Sequence, residues 1–236
     1  MNYMIYGEDC RHGILAALLN NAGFTMEAPA DLLILSPRES FCSHRGVLNK
    51  GCFIWGGPAS DTTRIQTDGY KKMGQSENFR VKNSVYTAEG ALSLAIAHTK
   101  KALCESTVFV LGYGYLGKEC TRLFTAAGAE VTVYTENPKE LAEAVLNGHR
   151  AEKLTGLSDV SGRLLLNTIP VPVLDTLPIS ANSKPALLIE LASTPCLTED
   201  IPGLSVLPAA ALPSRFSPES AAKLMFDEII YQLEKE

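Results

Sequence analysis

Thr107-Val108-Phe109-Val110-Leu111-Gly112-Tyr113-Gly114-Tyr115-Leu116-Gly117 decides the fold of this 236-residue chain. The first five residues are apolar and β-branched or aromatic at most positions, as a strand buried on both faces requires. Three glycines follow at once with the spacing Gly-x-Gly-x-x-Gly. The first serves a tight turn, the second lets a ligand's phosphates approach bare backbone, and the third allows a helix to pack closely on the strand. Thr121–Ala127 continues that helix and Gly128 stops it. Glu130-Val131-Thr132-Val133-Tyr134-Thr135 then supplies the next strand. A glycine triplet alone is common; strand, turn, helix and strand around it make it a dinucleotide-binding fingerprint. The cofactor it predicts is NADP or NAD.

Outward from the fingerprint, strands and helices alternate, which predicts an α/β protein with parallel sheets. Before it, Tyr3–Tyr6 reads as a strand and Arg11–Ala22 as a helix closed by Gly23. Leu32–Leu35 and Cys52–Trp55 are short apolar runs bounded by turn residues. The polar, Gly-rich stretch 56–80 reads as loop and lightly structured connection. Thr87 is placed to cap a helix running to about Lys101, with apolar Ala91, Leu92, Ala95 and Ile96 on one side. After the fingerprint, Asn137-Pro138-Lys139-Glu140 is a helix start with Asn as cap, Pro in the first turn and Glu at the third position. Leu164–Leu166, Ala186–Leu191 and Leu204–Leu207 read as strands, and Ser217-Pro218 opens a last helix.

Composition narrows the function. A net charge of −5 without a Lys/Arg cluster gives no footprint for nucleic acid. No apolar run reaches membrane-spanning length and no basic leader precedes an apolar core, so the expectation is a cytoplasmic protein. Six scattered cysteines without a CxxC pair read as reduced thiols. Four histidines lack metal-ligand spacing, and no metal is predicted.

Ligands of an open parallel sheet lie beyond the carboxyl ends of its strands, which selects four turns. The glycine turn, Gly112 to Gly117 with Tyr113, Gly114, Tyr115 and Leu116, is the first. Tyr134, Thr135 and Glu136 form the second, where a ribose-binding acid is usual; Glu136 equally suits a solvated turn. Asn167, Thr168, Ile169 and Pro170 form the third, able to bond a nicotinamide or simply to make an Asx turn. Ala192 and Ser193, in Leu191-Ala192-Ser193-Thr194-Pro195, form the fourth, small enough for close approach of a ring or for a tight turn alone. No proton-transfer pair is legible, and the catalytic residues stay unassigned.

Several segments together resemble the A subunit of dipicolinate synthase. They are Tyr6-Gly7-Glu8-Asp9-Cys10-Arg11, Asn83–Gly90 continuing through Ala95–Thr99, the fingerprint, Asn167–Pro170, Glu190–Pro195 and Leu212–Arg215 with the Ser217-Pro218 helix start. The resemblance implies a two-lobed fold related to formate and glycerate dehydrogenases. A flavodoxin-like lobe would span residues 1–83, a linker helix 84–101, and a Rossmann domain 102–216, with the helix 217–236 returning to the first lobe. It implies NAD(P)-dependent oxidation of a dihydrodipicolinate-type intermediate to dipicolinate, in sporulation. The partner it implies is the flavoprotein-like B subunit of the same synthase; homo-oligomer formation stays open. Asp9, Arg11, Glu89 and Arg215 are the substrate-binding candidates: a dicarboxylate wants cationic partners, which Arg11 and Arg215 supply, while Glu89 is a polar group facing the cleft. The chain departs from the family at three points: a shorter first lobe, Thr194 for the usual arginine, and Ser214 for the usual glycine. These bear on what is oxidised more than on cofactor binding, and a non-catalytic NAD(P)-binding paralogue is the alternative.

Overall fold

The computed structural model describes residues 1–177, 179–180 and 184–235. In chain order the elements begin with β1 (Asn2–Tyr6), α1 (His12–Asn21), β2 (Thr25–Met26), β3 (Ala30–Leu35), β4 (Leu48–Gly56), α2 (Thr62–Thr67), β5 (Lys71–Lys72) and α3 (Glu77–His98). They continue with β6 (Thr107–Leu111), α4 (Tyr115–Ala126), β7 (Glu130–Tyr134), α5 (Pro138–Leu146), β8 (Arg150–Glu152), β9 (Leu164–Asn167), β10 (Ala186–Glu190), β11 (Leu204–Pro208), α6 (Leu212–Phe216) and α7 (Pro218–Leu233). The chain forms two compact units, Met1–Asn83 with Pro213–Glu236 and Ser84–Leu212.

The first unit has five parallel strands in the order β2-β1-β3-β4-β5, the flavodoxin-like arrangement. Its central strand β3 is apolar because both faces are covered. Leu33 and Leu35 pack with Phe41, Cys52, Ile54 and Ile65 on one side. Leu32 faces the other way beside its register partner Tyr3, whose hydroxyl donates to Ala16 O and Asn20 Oδ1 on α1. Helix α7 lies against α1. Its buried Glu228 accepts from Ser76 N–H at 2.8 Å and Ser76 Oγ at 2.6 Å, so the chain's last helix is clasped to the residue preceding α3.

The second unit has six parallel strands in the order β11-β10-β9-β6-β7-β8. Counted within the unit from the β8 edge, this is 3-2-1-4-5-6, the order of a dinucleotide-binding sheet. Alternate residues feed two cores. Val108, Val110, Leu164, Leu166 and Ile189 face Phe124, Cys120 and the Ala88–Ala95 face of α3. Phe109, Leu111, Leu165 and Leu188 face Leu154, Leu174 and Cys196. This is why the strands read as continuous apolar runs: neither face meets water.

Three expectations change. Helix α3 begins ten residues before Thr87, at Glu77, because Ser76 takes the cap: its Oγ accepts Phe79 N–H at 3.1 Å. It ends at His98 and not at Lys101. The stretch 56–80 is structured, holding α2, β5 and the start of α3; its anchors Ile65, Met73 and Phe79 are buried but too far apart to show periodicity. The strands β2, β5 and β8 are only two or three residues long, largely exposed, and rest on backbone pairing to a neighbour, so no hydrophobic pattern announces them.

Candidate active site

The strand order of the second unit reverses between β6 and β9, and the turns that follow β6, β7, β9 and β10 gather at the carboxyl edge of the sheet. Leu111, Tyr134, Asn167 and Glu190 end these strands in direct register. The four turns selected from the sequence are therefore neighbours.

The glycine turn is built by contacts that leave no room for side chains. Gly112 has φ +89°, and a Cβ there would lie 2.7 Å from Thr168 Oγ1. Gly112 N–H donates to Tyr134 O, and Thr168 Oγ1 donates to Leu111 O at 2.7 Å, so the neighbouring turns grip it from both sides. A Cβ on Gly117 would come within 2.2 Å of Gly112 O, which seats α4 against the turn. Gly114 differs: it is exposed and a Cβ would meet nothing within 4 Å. Helix α4 starts at Tyr115 without a side-chain cap. Open backbone leading into an uncapped helix start is the shape and polarity that a pyrophosphate requires. Tyr113 turns its ring inward, 2% exposed, against Val133 and Ala144, and its hydroxyl accepts from Asn147 Nδ2. Only its backbone faces the turn.

At the end of β7, Tyr134 and Thr135 are buried and Glu136 is exposed. Glu136 Oε1 accepts Thr155 N–H at 2.6 Å. Helix α5 starts as its sequence predicts, with Asn137 Oδ1 accepting Lys139 N–H and Pro138 in the first turn. The third-position Glu140 does not reach back to the cap residue. Its Oε2 accepts instead from Tyr113 N–H at 3.0 Å and from Thr135 Oγ1 at 2.7 Å.

The third and fourth turns share one organiser, Glu190. Oε1 accepts from Asn167 Nδ2 at 2.6 Å and Ala192 N–H at 3.1 Å, and Oε2 accepts from Cys196 N–H at 2.9 Å. Asn167 is fully buried; its Nδ2 also donates to Ile169 O and its Oδ1 accepts Ile169 N–H, which makes the Asx turn. The amide that the sequence offers to a nicotinamide is thus committed to holding the turn. Thr168 and Ile169 are half-buried, Pro170 and Ser193 exposed, and Ala192 half-buried. Burial and the adjacent Glu190 carboxylate push the Cys196 thiol up, so it stays protonated. Glu140 and Glu190 are the residues that sequence reasoning misses. Their signals are a helix-cap position and a lone acid ending an apolar strand, and their partners lie 27 and 23 residues away.

In the first unit, Asp9 and Arg11 lie in the turn between β1 and α1. Asp9 Oδ1 accepts from Arg11 Nε at 2.9 Å and Oδ2 from Nη2 at 2.6 Å. Burial opposes the Asp9 charge, but the Arg11 hydrogen bonds and charge outweigh it and hold the carboxyl below its ordinary value. Arg215 is exposed on α6, in the part of that helix assigned to the first unit. Glu89 is exposed on α3, in the second unit. Among the described residues no three His, Cys, Asp or Glu side chains gather as a metal would need, and no helix is long and apolar enough to cross a membrane.

Sheet order, glycine geometry and the gathered turns define a dehydrogenase-type, nicotinamide-cofactor-binding fold. Solved structures share it. The A subunit of dipicolinate synthase of Bacillus halodurans aligns with a TM-score of 0.79 at 21% identity, covering 98% of this chain and 97% of that one. D-2-hydroxyisocaproate dehydrogenase aligns with a TM-score of 0.56 at 12% identity, covering 99% and 96%. Among curated proteins the chain is similar to the dipicolinate synthase A subunit of Bacillus subtilis (strain 168), with 31% identity over 162 residues, 65% of this chain and 54% of that protein. The chain thus spans about half the length of the curated relative it matches. No family model matches it.

Proposed function

We propose that this chain is an NAD(P)-dependent oxidoreductase of the type represented by the A subunit of dipicolinate synthase. It would act in the cytoplasm of a spore-forming bacterium, with the synthase's flavoprotein-like B subunit. Residues 102–216 form its dinucleotide-binding domain in this reading, residues 1–83 with helix 217–236 the second domain, and 84–101 the connection. The observation that carries the reading is the glycine turn, closed to side chains at Gly112 and Gly117 and open at Gly114, in a chain 31% identical to such a protein over 162 residues.

When bound, the dinucleotide would supply a hydride acceptor at the nicotinamide C4 for oxidation of a dihydrodipicolinate-type ring, with a ring proton passing to solvent as the ring becomes aromatic. The amides at the start of α4 would hold the pyrophosphate. Thr168 fixes the glycine turn, and Glu190 fixes Asn167 and the Ala192–Cys196 turn, so the backbone at Ala192 and Ser193 is preset for the nicotinamide. Asp9, Arg11, Glu89 and Arg215 remain the proposed substrate residues, with the two arginines supplying charge for a dicarboxylate. The test is an assay of the purified chain with the flavoprotein-like partner, a source of dihydrodipicolinate, and NAD and NADP in parallel. Dipicolinate should form. A folded, cofactor-bound preparation that makes none would overturn the activity while leaving cofactor binding intact.

One observation favours a second reading, a non-catalytic NAD(P)-binding relative. Arg11 spends two donors on Asp9, and Thr194 stands in the turn where the resemblance calls for arginine, so cationic contacts for a dicarboxylate are reduced. This reading predicts cofactor affinity without turnover of any dicarboxylate.

A further inference from the structure

The adenosine ribose of a bound dinucleotide sits between the glycine turn and the end of the next strand, where an acid accepts from the 2′-hydroxyl in NAD-selective sheets. In this chain the strand-end position is Thr135, which cannot play that part. Thr135 is buried, its hydroxyl donates to Glu140, and the same oxygen accepts Asn137 N–H at 3.2 Å. Glu136, next along, is tied by its Oε1 to Thr155 N–H, in the turn after β8.

We infer that Glu140 is the ribose acid, reaching the site from the first turn of α5, and that it makes the chain select NAD over NADP. This rests on the dinucleotide reading above. One carboxylate oxygen of Glu140 bonds both walls of the ribose position: the amide of Tyr113 in the glycine turn and the hydroxyl of Thr135 at the end of β7. Its place is fixed by sequence. Asn137 caps α5 and Pro138 starts it, which sets Glu140 at the third helical position, facing the sheet edge. Half-buried and held in place by two donors, the carboxylate keeps further lone pairs to offer a sugar diol. A 2′-phosphate would set a dianion against that carboxylate, with Glu136 also at hand. Residues 134–140 contain two acids, a single lysine and no arginine, and the arginine fork that recognises a phosphate bidentately is missing from this stretch. Lys118, on α4, pairs with Glu143 at 2.5 Å.

Calorimetric titration of the whole chain with NADH and with NADPH tests this without any assay of turnover. The wild type should bind NADH at least about tenfold more tightly, the discrimination one charged hydrogen bond supplies. Glu140→Gln keeps size and reach, so it should melt within a few degrees of wild type yet lose most of that preference, through weaker NADH and equal or tighter NADPH binding. Equal or tighter binding of NADPH by the wild type overturns the inference. So does a preference that survives Glu140→Gln but collapses in Glu136→Gln, which would return the ribose to the strand-end acid. Binding of neither cofactor overturns the dinucleotide reading itself, a separate outcome from a lost preference.

Discussion

At the end of β6 the chain turns through Gly112 and leaves backbone exposed at Gly114; at the end of β1 it turns through Gly7 and fills the space with side chains. Both glycines have strongly positive φ, +89° and +87°. Both belong to parallel sheets whose strand order reverses beside the turn, between β6 and β9 in one unit and β1 and β3 in the other. The difference lies in the next few residues. After Gly112 come Tyr113 and Gly114, and an uncapped helix offers its amides. After Gly7 come Asp9 and Arg11, locked together, and His12, whose Nδ1 lies 3.0 Å from Gly7 O. Two similar sheets thus end in a dipolar backbone socket in one case and a closed ion pair in the other. Topology locates a site; the residues of one turn decide what it can hold.

The comparison breaks most severely at Gly117. Gly117→Ala sets a Cβ 2.2 Å from the Gly112 carbonyl, backbone against backbone, and nothing flexible can yield. We expect roughly 2–3 kcal/mol of lost stability in the second unit and no measurable cofactor binding, read by chemical denaturation and titration. Stability within about 0.5 kcal/mol of wild type, on the order of an ordinary surface change, would show that the seat of α4 is not needed.

Asp9→Asn strikes the other turn. Asp9 is only 6% exposed in its side chain and Arg11 17%, so removing the charge strands a half-buried guanidinium. About 1–2 kcal/mol should be lost from the first unit while NADH or NADPH affinity stays unchanged. A drop in cofactor affinity would contradict the separation of roles.

Gly114→Ala sharpens the contrast because it should cost nothing in folding. The added methyl meets no atom within 4 Å, and φ at Gly114 is −72°. It stands where phosphates approach, so binding should weaken about tenfold at unchanged melting temperature. Unchanged affinity would move the pyrophosphate elsewhere.

The smallest effect is a pH dependence confined to the first unit. Burial lowers the His12 pKa below 6.5, outweighing the pull of Asp9 and the contact with the Gly7 carbonyl. The folded state therefore holds His12 neutral. Its contribution is complete above about pH 6.5 and is lost as pH falls through the lowered folded value. Asp9, lowered from 3.8, adds acid sensitivity only below that value. Between pH 7.5 and 5.5 the first unit should melt about 2 °C earlier, and His12→Asn should flatten the slope. An equal slope in the variant would assign the effect to other groups.

How much of this is legible in the sequence follows from the range of each interaction. The strands of the second unit are buried on both faces, so their apolar runs and the glycines between them are plain, and the four turns follow from topology. The start of α3 is hidden because Glu77–Thr87 carries few apolar positions; Phe79 is buried while Val81 is 41% exposed. The acids are visible as acids but not as partners. Glu140 reads as half of a capping box because the local alternative, its own helix start, is three residues away, whereas Tyr113 is brought to it only by the sheet. Glu190 looks like the polar end of a strand until β9 places Asn167 beside it.

The clasp between Glu228 and Ser76 bears on how the polypeptide emerges from the ribosome. Ser84–Leu212 is one uninterrupted segment, complete with all its strands once Leu212 has been made. The other unit, although begun first, needs Pro213–Glu236. Vectorial synthesis therefore finishes the second unit while the amino-terminal sheet still awaits α7, and α1 keeps an uncovered flank until that helix has been made.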